Sequence, residues 1–275
     1  MYQTPVGGLP PQTELLSSRA IFTNAYAVIP RKVLTEIVVS RFPGWNGTKG
    51  WVLARPLSGF AETFSQMILD VAPGGGSNHP EPDRTAGAVL FVLSGHGSLM
   101  INGEEHVMRP GIYAYLPPNC DWQVRNTEPE GGRTLTFHWI RKAYEPVDGL
   151  EPPEPFVIHE ADAEEVAMRE TQGVWTTTRF VDPEDMRHDF HVNIVNFQPG
   201  GVIAFSETHV MEHGIYVLEG KGVYRLNHQW VEVQAGDFMW LRAFCPQACY
   251  AGGPGRFRYL LYKDVNRFPK LKPFG

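Results

Sequence analysis

The sequence predicts an all-β protein built as two tandem barrels, and three observations carry that prediction. Apolar runs of four to eight residues, rich in Val, Ile, Tyr, Phe and Trp, recur between Gly, Pro and Asn; this is the pattern of antiparallel strands joined by turns. Glycine and proline number 28 and 23 among 275 residues, which favours many short strands over long helices. Finally, a template of turns repeats at an offset of 125 residues: Gly76, Gly95 and Gly111 return as Gly201, Gly220 and Gly236. A fixed internal period marks a duplicated unit, and closing each unit into a barrel removes exposed sheet edges.

Residues 1–50 form an N-terminal extension whose stretch AIFTNAYAVIPRKVLTEIVVS holds strand-like pieces. Residues 51–145 form the first barrel and 173–275 the second. AVLFVLSGHGSLMING in the first aligns with GIYVLEGKGVYRLNH in the second, and GIYAYLPPN with GDFMWLRAF. The segments Ser94-Gly95-His96-Gly97 and Glu219-Gly220-Lys221-Gly222 are expected as hairpin turns. Between the barrels, 146–172 read as a linker: AYEPVDGLEPPEPF is rich in Pro and acid, and a short helix is expected in VIHEADAEEVAMRE.

Hydrophobic residues make up 43% of the chain, enough for a sizeable core. A net charge of −6 argues against nucleic acid or an anionic membrane as partner. No apolar run reaches the roughly 18 residues a spanning helix needs, and MYQTPVGGLPPQTELLSS lacks the basic and apolar regions of a signal peptide. The expectation is a soluble, cytoplasmic protein. Its three cysteines, Cys120, Cys245 and Cys249, show no metal or redox spacing and are expected as free, packed thiols.

One constellation stands out. Glu207, His209 and His213 lie between Gly201 and Gly220, and Gln247 follows Gly236. Glu207 and His209 are two apart and share one face of a strand; His213 can return on a neighbouring strand, and Gln247 comes from a later one. A carboxylate, two imidazoles and an amide oxygen make a mostly hard donor set. Without a thiolate it disfavours structural zinc and suits Mn²⁺ or Fe²⁺. Four protein ligands leave open positions on an octahedral ion for water or substrate. The same places in the first copy hold Pro82, Arg84, Ala88 and Trp122, so that copy is expected to be a filled scaffold. His79, His96, His106, His138, His159, His188, His191 and His228 match no ligand position and are expected as structural or exposed.

These motifs resemble those of cupins, and the duplication those of bicupins. The first cupin motif places His-x-His and a later Glu between two glycines; here Glu207 takes the place of the first His and His213 that of the Glu. In the second motif Arg242 and Phe244 replace a Pro–Gly pair, Gln247 replaces the His and Ala251 the Asn. The order Glu, His, His, Gln, together with ETHVMEHG, KGVYRL, QACY and FRYLLYKDVNR, resembles the (S)-ureidoglycine aminohydrolase family. The resemblance implies two cupin barrels of the double-stranded β-helix (jelly-roll) type, and Mn²⁺ held by Glu207, His209, His213 and Gln247. It further implies hydrolysis of (S)-ureidoglycine to (S)-ureidoglycolate with release of ammonia, a step of purine (allantoin) degradation. Tyr224, Tyr259, Lys263 and Glu207 would surround the substrate, with Glu207, Tyr259 and Lys263 catalytic. A homo-oligomer is expected. The alternatives are a metal-dependent cupin dioxygenase and a non-catalytic, small-molecule-binding bicupin.

Overall fold

Among the described residues two large antiparallel sheets and one small one make up the structure, and the duplicated turns redirect the chain between strands that do not pair. The computed structural model of the chain describes residues 20–34 and 39–264; the rest of the N-terminal extension and the end of FRYLLYKDVNR lie outside these residues. The extension contributes β1 (Ile21–Phe22) and β2 (Tyr26–Ile29). The first half follows as β3 (Trp45–Ala54), β4 (Phe64–Ser77), β5 (Ala86–Ser94), β6 (Gly97–Ile101), β7 (Glu104–Met108), β8 (Ile112–Leu116), β9 (Trp122–Arg125) and β10 (Leu135–Ala143). Then come β11 (Phe156–His159), β12 (Glu164–Ala167), β13 (Trp175–Arg179), β14 (Phe190–Phe197), β15 (Val202–Glu207) and β16 (His213–Glu219). The second half closes with β17 (Lys221–Leu226), β18 (Gln229–Gln234), β19 (Phe238–Leu241), β20 (Gln247–Ala251) and β21 (Phe257–Asp264).

The nine-stranded sheet of the first half runs β11-β8-β5-β10-β4-β9-β6-β7, with β3 on β4. The second half splits into an eight-stranded sheet, β1-β2-β19-β16-β21-β14-β13-β12, and a four-stranded one, β15-β20-β17-β18. This is the two-barrel all-β architecture expected. The repeat extends to register: Ala88 faces Leu116, and 125 residues later His213 faces Leu241.

Two local expectations are corrected. Gly95 and Gly220 do lie in tight turns, at φ +80° and +78°. However, β5 does not pair with β6, nor β16 with β17. The turns are corners: the one at Gly220 carries the chain from the eight-stranded to the four-stranded sheet, and the one at Gly95 carries it from β5 to the distant β6 of the nine-stranded sheet. A Cβ at Gly95 would collide with the Thr134 carbonyl and one at Gly220 with that of Arg256, so close backbone approach, rather than hairpin twist, selects glycine. The expected helix is also absent. VIHEADAEEVAMRE makes a single 3-10 turn at Glu160–Asp162, where His159 accepts from the Ala161 N–H, and runs on as β12. The linker is therefore structured at both ends: β11 completes the first half by pairing β8, and β12 extends the second by pairing β13. Sheet edges offered partners that a short isolated helix lacks.

Side chains alternate between two cores. On β14 and β21, Val195, Phe197, Phe257 and Tyr259 point into the second barrel. Phe190, Val192, Ile194, Leu260 and Tyr262 point outward and pack on Trp51, Phe64, Val89, Phe91 and Tyr115 of the first half. The barrels thus share an apolar seam. Gly214 belongs to it: a Cβ there would stand 2.5 Å from Gln66 Oε1 and 2.7 Å from the Phe64 ring. The first barrel has its own filled core, in which Trp122 is 3% exposed and packs edge-on against Trp45 and Trp139. Cys245 and Cys249 are free and buried, and Cys120 is free and half-buried. Among the described residues no helix is long and apolar enough to cross a membrane.

Candidate functional site

The four candidate donors come from three strands and one loop of the second half. Glu207 closes β15 and faces Gln247, the first residue of β20, across a bulge that shifts the register between Ile203 and Glu207. Such a bulge re-aims side chains at the end of a strand. His209 lies in the loop that follows, and Glu207 Oε1 stands 3.4 Å from His209 Nε2. His213 opens β16, its ring centroid 5.1 Å from that of His209. The loop is fixed from two sides. The Phe244 N–H donates to the His209 carbonyl at 2.7 Å. On the other side Glu212, 6% exposed, accepts from the N–H groups of Glu62 and Thr63, the Thr63 hydroxyl and the Trp240 indole at 2.6 to 3.0 Å. The first barrel therefore holds the end of the loop that carries His209 and leads into His213.

Burial differs across the set. Gln247 and His213 are 4% exposed, whereas the Glu207 and His209 side chains are 21% and 35% exposed. Among the described residues no three His, Cys, Asp or Glu side chains stand close enough together to hold a metal ion as they are placed. Here Glu207 and His209 touch each other, and their exposed ends have room to turn. Burial, with the charges of His209 and Lys263 adding to it, pushes His213 down to about 3. The imidazole is thus neutral, the form that ligates a metal. Its Nδ1 lies near the backbone of Glu212 and Tyr262 without a well-formed hydrogen bond. A neutral imidazole with an unsatisfied nitrogen, a carboxylate, a second imidazole and an amide fit a hard divalent ion.

The residues expected around the substrate come from two sheets, Tyr259 and Lys263 from β21 of the eight-stranded sheet and Tyr224 and Glu207 from the four-stranded one. Lys263 on β21 is the direct register partner of His213 on β16. Tyr259, four residues earlier, shares its face and accepts a hydrogen bond from the Tyr224 hydroxyl at 2.8 Å. Burial raises both phenols well above the usual range, and the Glu207 charge adds to this. Burial lowers Lys263, and the charge of Arg179 lowers it further.

Sequence reading passed over Glu212, which stands beside His213 but shows its role only through contacts with residues 62, 63 and 240. His138 and His191 prove wholly or almost wholly buried, at 0% and 5%. The His188, Asp189 and His191 group assembles no metal cluster: Asp189 turns to the Lys142 ammonium at 2.7 Å and the Glu145 N–H at 2.9 Å.

Comparison with known proteins shows the family. The cupin domain family model matches residues 67–138 and 193–262, one stretch in each half. The chain is 32% identical to the (S)-ureidoglycine aminohydrolase of Arabidopsis thaliana over 253 residues, covering 92% of this chain and 80% of that protein. It is 28% identical to the Escherichia coli enzyme of the same name over 258 residues, covering 92% and 94%. A crystal structure from Pseudomonas aeruginosa, provisionally described as a glyoxylate-induced protein, superposes with a TM-score of 0.90 at 63% identity and covers 99% of both chains. With a duplicated cupin fold and relatives aligned over nearly their whole length, the chain belongs to the (S)-ureidoglycine aminohydrolase family of cupin-domain enzymes.

Proposed function

We propose that this chain hydrolyses (S)-ureidoglycine to (S)-ureidoglycolate and ammonia, with Mn²⁺ held by Glu207, His209, His213 and Gln247. The observation that carries the reading is the grouping of these four donors in the second barrel while Trp122 fills the matching place in the first. A divalent ion there would supply positive charge to orient the substrate and to acidify a water.

The chain's own residues account for the rest of the chemistry. Water adds its oxygen to the substrate carbon as the carbon–nitrogen bond breaks, so one proton must leave the water and one must reach the departing amine. Glu207, the carboxylate nearest the two histidines, is placed to take the first. Lys263, whose proton is held less tightly than that of a free lysine, can deliver the second or hold the substrate carboxylate. Tyr224 donates to Tyr259, which leaves the Tyr259 proton free to be offered to the ureido oxygen. Both phenols stay protonated at neutral pH, so they orient rather than act as bases. The same reading places the protein in purine (allantoin) degradation, as a cytoplasmic homo-oligomer.

The test is metal analysis coupled to ammonia release from freshly prepared (S)-ureidoglycine. Manganese-loaded protein should release ammonia, and Glu207→Ala should lose metal and turnover together. Silence from the loaded parent protein, or full turnover with metal retained in the variant, would overturn the assignment.

A further inference from the structure

A cation on the interior wall of the second barrel has no part in the chemistry described so far. Arg179 ends β13, whose pairing with β14 runs from Trp175 opposite Phe197 to Thr178 opposite Ile194. Extended by one step past the last pair, this register would set Arg179 opposite Asn193. Asn193 pairs across to Leu261, and His191 pairs to Lys263, which in turn faces His213. Residues opposite one another in antiparallel strands project from the same face. Arg179 and Asn193 therefore form one row on the wall, and His191, Lys263 and His213 the next. Trp175, Val195, Ile215 and Tyr259 extend this wall into the barrel core.

The wall is electrostatically unfinished. His191 and Asn193 are 5% and 6% exposed, yet His191 Nε2 and Asn193 Oδ1 have no hydrogen-bond partner. Among the described residues neither Arg179 nor Lys263 makes an ion pair. Glu164 lies opposite Arg179 on the edge strand β12, but it is exposed and leaves Arg179 unpaired. Arg179 and Lys263 stand in adjacent rows of this wall. Two half-buried like charges flanking orphaned polar atoms are costly unless an anion joins them.

We propose that Arg179 and Lys263 form a two-cation anchor for the carboxylate of a ureido acid, with His191 and Asn193 completing the hydrogen bonds around it. Guanidinium supplies the paired donors that suit a carboxylate. Asn193 Oδ1 is an acceptor and therefore selects N–H groups, which a ureido group provides. The anchor rests on the functional reading above and extends it by a residue that defines the substrate class.

The test uses manganese-loaded full-length protein and two unreactive probes, N-carbamoylglycine and its neutral amide, with binding measured by calorimetry. Arg179→Gln should weaken N-carbamoylglycine by about ten-fold or more, the scale of a lost charge-assisted hydrogen bond, and leave the amide unchanged. KM for (S)-ureidoglycine should rise more than kcat falls, metal content should match the parent, and Arg179→Lys should recover part of the loss. Unchanged N-carbamoylglycine binding and KM in Arg179→Gln, while the parent protein turns over, would remove the anchor alone. Equal weakening of acid and amide would also remove it, because the role would then be structural. A parent protein that binds neither probe and releases no ammonia would bring down both the anchor and the functional reading.

Discussion

Lys263 combines two properties that rarely coincide in an exposed lysine. It is the register partner of His213 and shares a face with Tyr259, and burial loosens its proton. Lys263→Ala should keep its metal content while turnover falls by at least about a hundred-fold, the usual range for a lost acid–base group; parent-like kinetics would take Lys263 out of the site. At this scale the closeness of Glu207, His209, His213 and Gln247 was legible in the sequence. Glu207 and His209 sit at strand spacing, and the flanking glycines mark where their strand begins and ends. Arg179, His191 and Asn193 were not legible, because each matters only through the β13–β14–β21 register, which joins residues some 70 to 85 positions apart in the chain. Glu212 was hidden for the same reason. Its neighbour His213 is a candidate ligand, but its own partners lie in the other barrel.

Among the elements, β16 is the most constrained. One face begins with His213, and the opposite face begins with Gly214, pressed against Phe64 and Gln66. Phe64 itself stacks on Tyr262 with centroids 3.9 Å apart. Gly214→Ala should therefore destabilise the protein by about 1–3 kcal/mol through overpacking and lower metal occupancy by shifting β16; an unaltered urea midpoint would show that the seam can yield. The turns were legible as turns but not as corners. Glycine announces a tight reversal, whereas the choice between pairing with the strand just left and running on to a distant one depends on which strands lie opposite. The loop before β20 makes a related point. Phe244 is 65% exposed and sits at φ +65°, and Asn119, its counterpart in the first half, sits at φ +62°. A bulky side chain in this region is uncommon. It stands where the cupin pattern prefers glycine, and its N–H holds the loop bearing His209.

At the scale of the whole molecule, the duplication was plain from the glycine spacing, but the seam between the halves was not. His138 illustrates why: on sequence it is one unremarkable histidine among ten. In the structure it is fully buried in the seam against Tyr216, with neither ring nitrogen in a good hydrogen bond. Burial lowers it from 6.5 to about 3. Between those values the unfolded chain takes up a proton that the folded protein refuses, so stability falls as pH drops through that window and is fully present above it. His138→Leu should remove one proton's share of this slope, at most about 1.4 kcal/mol per pH unit. Urea midpoints compared at pH 5 and pH 7 would check it, and an identical pH slope in the variant would contradict the burial. The N-terminal extension shows a different long-range dependence. β2 pairs β19, so Tyr26–Ile29 lies beside Phe238–Leu241, some 210 residues further on. On the ribosome this segment emerges long before its partner, and it must stay clear of premature strand pairing while both barrels are synthesised. Completion of the sheet that carries His213 and Lys263 is thus a late event in the life of each chain.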